Sequence, residues 1–268
     1  MALPTPYAHP DGRNLHLGKS PAVIPAGTPK FHHYLDRVIA PAPPSMDWYK
    51  GVTDWGPMEN DQLGCCTISS KAHALQVASL NTTGIVTLTD QEIVNYYSWW
   101  DGYIPGDPST DNGGIVSQVL NSWHRHGMNG YKLPAYSSVD WTDTQNMLKA
   151  IELIGTVDIG LQLPLTAQEQ VGRVWDVVGD PATDPASMPG SWGGHDINCG
   201  KYTTNSDGSI LFTPITWGRS QQMTQKFLTT YADEVWATLI GMWFDPDKLS
   251  AGGFQWADLY SDMNQLKT

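Results

Sequence analysis

At Gly155 the spacing of apolar residues changes, and that change limits the folds open to this chain. Upstream, IVSQVLNSWHRHG (115–127) and WTDTQNMLKAIELIG (141–155) carry apolar residues at helical spacing, and each stops at a glycine. Thr67 to Leu80 reads as a helix with Ile68, Ala72, Leu75 and Ala78 on one side, and Thr89 and Asp90 are N-cap residues ahead of QEIVNYYSWW. Downstream, TVDIGLQL, HDINCGKYT, SILFTPITWG and EVWATLIGM read as strands, the second and third joined by the turn NSDG. Helices first and antiparallel strands second predict an α+β fold. A helical lobe (about 55–150) then packs face to face with a β lobe (about 155–240), within a domain spanning 46–245. Residues 1–45, with PAVIPAGTPK and APAPPSMDW, read as a Pro-rich extended arm or strap, a disordered tail being the alternative. The embedded FHHYLDRVI argues that part of this arm docks on something, and 246–268 form a C-terminal tail.

With 268 residues the chain can bury a sizeable core in one large domain or two lobes. A formal charge of −12 without basic clusters excludes nucleic acid as a partner, because phosphates must be neutralised by Lys and Arg. No stretch has the apolar length to span a bilayer, and MALPTPYAHPDGRNLH lacks the basic-then-apolar order of a signal peptide. Synthesis in the cytoplasm, with no membrane partner, is therefore expected, with later release or packaging in a particle left open. Three cysteines, two of them adjacent, make no disulfide framework. The scattered tryptophans are expected in the core or as cleft wall. His32-His33 and His124-x-His126 have no cysteine or carboxylate partners at ligand spacing, so no metal and no other cofactor are expected. Asp111, Asp180 and Asp184 read as solvated loop residues that could border a cleft.

Chemistry concentrates in two distant blocks. In NDQLGCCTISSKAHAL, Cys66 lies at a helix start, where the helix N-terminus and a nearby imidazolium together favour the thiolate. Gly64 permits a close approach, and backbone N–H groups at the helix start can face an oxyanion. In GSWGGHDINCGKY, His195 follows Gly193 and Gly194 and opens a strand. Adjacent residues at a helix start point about 100° apart, so only one of Cys65 and Cys66 can face a cleft. Cys199, four residues beyond His195, shares its strand face.

These blocks, in this order, resemble the papain-like cysteine peptidases from about Trp55 to Leu239, and look closest to a branch found in actinobacteria and tailed phages. NDQLGCCT is similar to the segment with the oxyanion amide and, six residues on, the nucleophile, which selects Cys66 and places Asn60 where the family has glutamine. LTDQEIVNYY resembles a family helix. Asn112, Gly113 and Gly114 resemble the loop whose backbone pairs with substrate, and ILFTPITWG resembles the Asn-Ser-Trp-Gly strand, with Trp217 kept. This register puts Ile215 at the asparagine that orients the histidine. Thr216, Asp196, a backbone carbonyl or water must then hold the imidazole. The resemblance implies a two-lobe papain-like fold and acyl transfer by Cys66 and His195 on a peptide or peptide-like substrate, with Asn60 and Thr216 in support and Gly64, Asn112, Gly113, Gly114, Gly194 and Trp217 lining the substrate cleft. The rival reading, motivated by Ile215, the arm and the tail, is a papain-fold protein without catalysis that serves as a binding or structural component, for instance of a phage virion. A third reading is a cell-wall amidase or endopeptidase using the same pair.

Overall fold

The computed structural model describes residues 3–35, 40–242 and 255–265. The elements are β1 (Tyr7–Ala8), β2 (Asn14–Leu15), β3 (Ser45–Asp47), α1 (Cys66–Leu80), α2 (Asp90–Asp101), α3 (Val116–His126), β4 (Ala135–Ser138), α4 (Thr144–Ile154), β5 (Val157–Leu163), β6 (Val174–Trp175), β7 (Gly193–Thr204), β8 (Ile210–Thr216), β9 (Arg219–Ser220), β10 (Gln222–Thr224), α5 (Gln225–Tyr231), β11 (Ala232–Leu239) and α6 (Trp256–Gln265). Of the expected tail, 246–254 and 266–268 lie outside the described residues.

Local chemistry sets the helices. Thr89 and Glu92 form a reciprocal capping box at α2, and left-handed Gly102 ends it. Asp143 caps α4 through the N–H groups of Gln145 and Asn146. Helix α1 departs from the expected one-sided pattern. Every residue from Cys66 to Ser79 is buried, so the helix is the centre of the molecule rather than an amphipathic surface rod.

The main sheet runs β4-β11-β5-β7-β8-β10-β6, with β3 added to β7 and β9 to β8; its pairings are antiparallel except β6 with β10. β4 comes from the mainly helical half yet pairs with β11, so the lobes exchange a strand that periodicity alone assigned to neither. Helix α1 packs on β7 and β5, and the core between them holds Ile68, Leu75, Ile159 and Ile197. Among the described residues no helix is long and apolar enough to cross a membrane.

Both ends of the chain return to this body. Residues 15–20 run between the two lobes, and Leu15, Leu17 and Lys19 are buried there. Helix α6 packs near β4 with Leu259 and Met263 buried.

Candidate active site

Cys66 opens α1 and His195 lies near the start of β7; both are about 1% exposed. The Cys66 sulfur sits by the backbone N–H of Asp196, the residue after His195, and by the N–H of Gly18 from the arm. His195 Nε2 lies 2.7 Å from Thr216 Oγ1, while its Nδ1 is buried without a hydrogen-bond partner among the described residues. Trp217, held at φ 45°, stacks on the imidazole with centroids 4.3 Å apart and planes at 15°, and Trp192 stacks on Trp217 in turn.

Ile215 and Thr216 point opposite ways because strand side chains alternate. Thr216 reaches the histidine, whereas Ile215 is wholly buried in a small apolar cluster with Tyr49, Trp55 and Val77. Isoleucine there leaves no hole in the histidine's support.

The two neighbouring thiols part at the helix start. Cys65 turns into the core, with its sulfur 3.6 Å from the Met58 carbonyl and 3.4 Å from Ser69 Oγ, and burial raises its pKa well above the ordinary range. Cys199 is buried, with its sulfur 3.5 Å from the Lys201 carbonyl, and burial pushes it up to about 12. Burial and then the Asp196 carboxylate push Cys66 up to about 12, against the pull of the two N–H groups. Burial takes His195 down to about 3. Thiol and imidazole are thus both held neutral in the covered site.

The cover is the arm. Gly18 and Lys19 donate their N–H groups to the Gly194 carbonyl (3.2 and 3.0 Å), Gly114 donates to the Gly18 carbonyl (2.8 Å), and Ser20 donates to the Gly114 carbonyl (2.8 Å). The His16 carbonyl accepts from Trp217 Nε1 (2.9 Å) and Asn60 Nδ2 (3.4 Å); Asn60 Nδ2 also donates to the Leu63 carbonyl at 3.0 Å. Gly18 is tied to this path by sterics, since a Cβ there would overlap the Gly64 carbonyl. Gly64, Gly114, Gly194, Trp217 and Asn60 therefore line one occupied channel. Asn112 does not join it: its side chain is exposed and donates to the Ser109 carbonyl. Gly113 also borders the channel, since a Cβ there would overlap the Gly18 carbonyl, and its N–H donates to Tyr97 Oη at 2.8 Å.

Three groups to which the sequence alone gave no structural role hold this arrangement. Asp111, expected as a solvated loop residue, accepts from the Gly64 N–H (3.1 Å) and from Tyr97 Oη (2.6 Å), so it joins the cysteine loop to the glycine loop. Lys71 lies inside α1 and reaches Asp196 Oδ2 at 2.6 Å and Asp158 Oδ1 at 3.5 Å. Burial opposes its charge, but Asp158 and Asp196 outweigh burial and hold its pKa above the ordinary value. One signal for Lys71 was available, a single charge inside the otherwise uncharged run TISSKAHALQVASL. The third group is Lys19, with its partners on β11. Among the described residues no three His, Cys, Asp or Glu side chains gather as a metal site, and His124 Nδ1 lies 2.6 Å from the Leu133 carbonyl.

A sheet lobe and a helical lobe meeting at a helix-borne cysteine and a strand-borne histidine is the papain-like fold, and solved structures agree. The chain is similar to xylellain, a cysteine protease from Xylella fastidiosa, with TM-score 0.60 and 12% identity over 89% of this chain and 98% of that one. It is similar to the ragweed pollen cysteine protease Amb a 11 in its proform, with TM-score 0.54 and 17% identity over 78% of this chain and 61% of that one. Digestive procathepsin L 3 of Tenebrio molitor matches with TM-score 0.52 and 13% identity over 76% of this chain and 72% of that one. No family model and no curated protein sequence matches.

Proposed function

We propose that this protein is a cysteine hydrolase, a peptidase or amidase, that transfers an acyl group through Cys66 and His195. The observation that carries this reading is the orientation of the imidazole: Thr216 occupies Nε2, Trp217 covers one ring face, and Nδ1 has no hydrogen-bond partner among the described residues. His195 draws the proton from Cys66, and the thiolate attacks the substrate carbonyl carbon. The Cys66 N–H and Asn60 Nδ2 hold the oxyanion, a contribution of about 3 kcal/mol per donor in related chemistry. Collapse of the tetrahedral adduct breaks the C–N bond, and His195 returns the proton to the leaving amine. Water then cleaves the thioester to the free acid and restores the thiol. Thr216 positions the ring, and no metal or cofactor enters. The arm keeps the pair neutral and silent until it withdraws.

The full chain with Gly18→Ala, which unseats the arm, is expected to turn over a mixed fluorogenic peptide library, and adding Cys66→Ala should abolish that signal. Thr216→Val should lower kcat by about 10²-fold or more while leaving the fold intact. Ile215→Asn should restore nothing; it buries an amide in an apolar cluster and costs about 1–3 kcal/mol of stability. Equal signal with and without Cys66 would favour the second reading, a papain-fold binding or virion component whose cleft is closed by its own arm; co-purification with a particle would then be the direct check.

A further inference from the structure

The arm carries one side chain into the body. Lys19 leaves the channel at the rung where the arm pairs with Gly114, and its side chain is completely buried. Its Nζ lies 2.8 Å from Asp233 Oδ1, 3.1 Å from Glu234 Oε1 and 3.1 Å from the Ser20 carbonyl. The pocket is built around such a chain. Gly160 forms its wall, and a Cβ there would overlap Lys19 Cε and crowd Glu234 Cγ. Gln162 Nε2 donates to Asp233 Oδ2 at 2.7 Å and Trp236 Nε1 donates to Glu234 Oε2 at 2.7 Å, so both carboxylates are braced and aimed. Glu234 has no exposed side-chain surface, and among the described residues its Oε1 has no partner apart from the Lys19 ammonium.

Two carboxylates braced in a narrow slot are costly unless a cation enters. Withdrawal of the arm empties the slot and leaves that demand to whatever replaces it. The slot is one residue along from Gly18, whose N–H faces the Cys66 sulfur, so a peptide in the channel would place a side chain here adjacent to the residue under attack.

We propose that the slot between Gly160, Asp233 and Glu234 is a specificity pocket for a lysine or arginine side chain of the substrate, and that Lys19 of the arm occupies it as a stand-in. This rests on the hydrolase reading for its catalytic consequence, whereas the pocket itself is testable without turnover. Asp233 and Glu234 touch the substrate side chain and not the reacting atoms, so they set selectivity. An apolar or acidic side chain would leave the carboxylates unpaired or repelled.

The test uses the full chain with Lys19→Ala and two readouts. Peptidyl chloromethyl ketones with Lys, Leu or Glu in the residue next to the ketone-bearing one are followed by intact mass at Cys66. The Lys probe is expected to react about tenfold or more faster than the Leu probe, with the Glu probe slowest. Adding Glu234→Gln, or Asp233→Asn with Glu234→Gln, should bring Lys and Leu probes close to parity. A Leu preference in Lys19→Ala, or a Lys preference that survives loss of both carboxylates, overturns the proposal. The second readout is thermal unfolding with acetyl-Gly-Lys-Ser-amide or its Leu counterpart. The Lys peptide should raise the midpoint of Lys19→Ala, and do so less in the Glu234→Gln double variant. Equal shifts by the two peptides overturn the pocket. If Cys66 reacts with none of the probes while the Lys peptide still stabilises selectively, the hydrolase reading fails and the pocket stands as a binding site.

Discussion

Residues 15–20 and helix α6 both bring an end of the chain back to the body, but their contacts differ in kind. Helix α6 is held by Leu259 and Met263, both buried, with Tyr34 Oη donating to Asp262 Oδ2 at 2.7 Å. The arm buries Leu15 and Leu17 as well, but across the site it is held by alternating backbone hydrogen bonds to Gly114 and Gly194 and by one buried ammonium on two carboxylates. Apolar burial of the first kind is non-directional and completes a core. Backbone rungs and a charged anchor are contacts that any extended peptide with a basic side chain can reproduce. Under the proposed function, helix α6 completes the body, whereas residues 15–20 fill the channel that a substrate would take.

The comparison breaks most visibly at Gly18. Gly18→Ala sets a Cβ against the Gly64 carbonyl and should drive the arm out of the channel. Cys66, now held near pKa 12 by burial and Asp196, then regains solvent. Its alkylation by iodoacetamide near neutral pH should rise by about 10²-fold or more, with Cys65 and Cys199 still protected. Peptide mapping after brief labelling reads this, and an unchanged Cys66 rate would mean that the arm does not control access.

The same measurement on the tail should give the opposite result. Leu259→Ala should cost about 2–4 kcal/mol of stability by urea unfolding and leave Cys66 labelling as it was. A gain in labelling comparable to that of Gly18→Ala would show the two ends to be coupled.

The smallest effect concerns protons. His195 is held down to about 3 against an ordinary 6.5, by burial. Between those values the unfolded chain binds a proton that the native chain does not. The stability from the neutral ring is thus complete above 6.5 and is lost as pH falls toward 3. His73, held down to about 4 by burial, acts alongside it, and Asp101 works the other way, lifted by burial to about 7 against Thr67 and Lys71, so the wild-type profile alone mixes several groups. The stability advantage of wild type over His195→Gln isolates the histidine. It should shrink by up to about 1.4 kcal/mol per pH unit as pH is lowered from 6.5. A pH-independent difference would place the native imidazole in contact with water.

Much of the fold was legible because its signals are local. Periods of three to four and of two residues separate α3 and α4 from β5, β7, β8 and β11, and the box at Thr89 and Glu92 and the cap at Asp143 need only neighbours in sequence. Strand β4 and helix α5 escaped because four and seven residues carry too little period, and the pairing of β4 with β11 was settled across about a hundred positions. Helix α1 misled in the other direction: its sequence looks half polar, and Ser70, Lys71 and Gln76 are buried only because Asp158, Asp196 and the Trp55 carbonyl meet them.

For the candidate site, sequence determined which residues could do chemistry: a cysteine at a helix start, a histidine opening a strand after two glycines, and the order of blocks around them. It could also show that Ile215 cannot orient an imidazole. Only the tertiary structure decided that Thr216 takes that place, that Asp111 joins two loops, and that residues 15–20 fill the channel with Lys19 on Asp233 and Glu234. The physical reason is range. Propensity and capping act within a few residues, whereas a hydrogen bond or ion pair depends on positions in space, and Lys19 meets a carboxylate 214 residues away that no local pattern in either segment specifies.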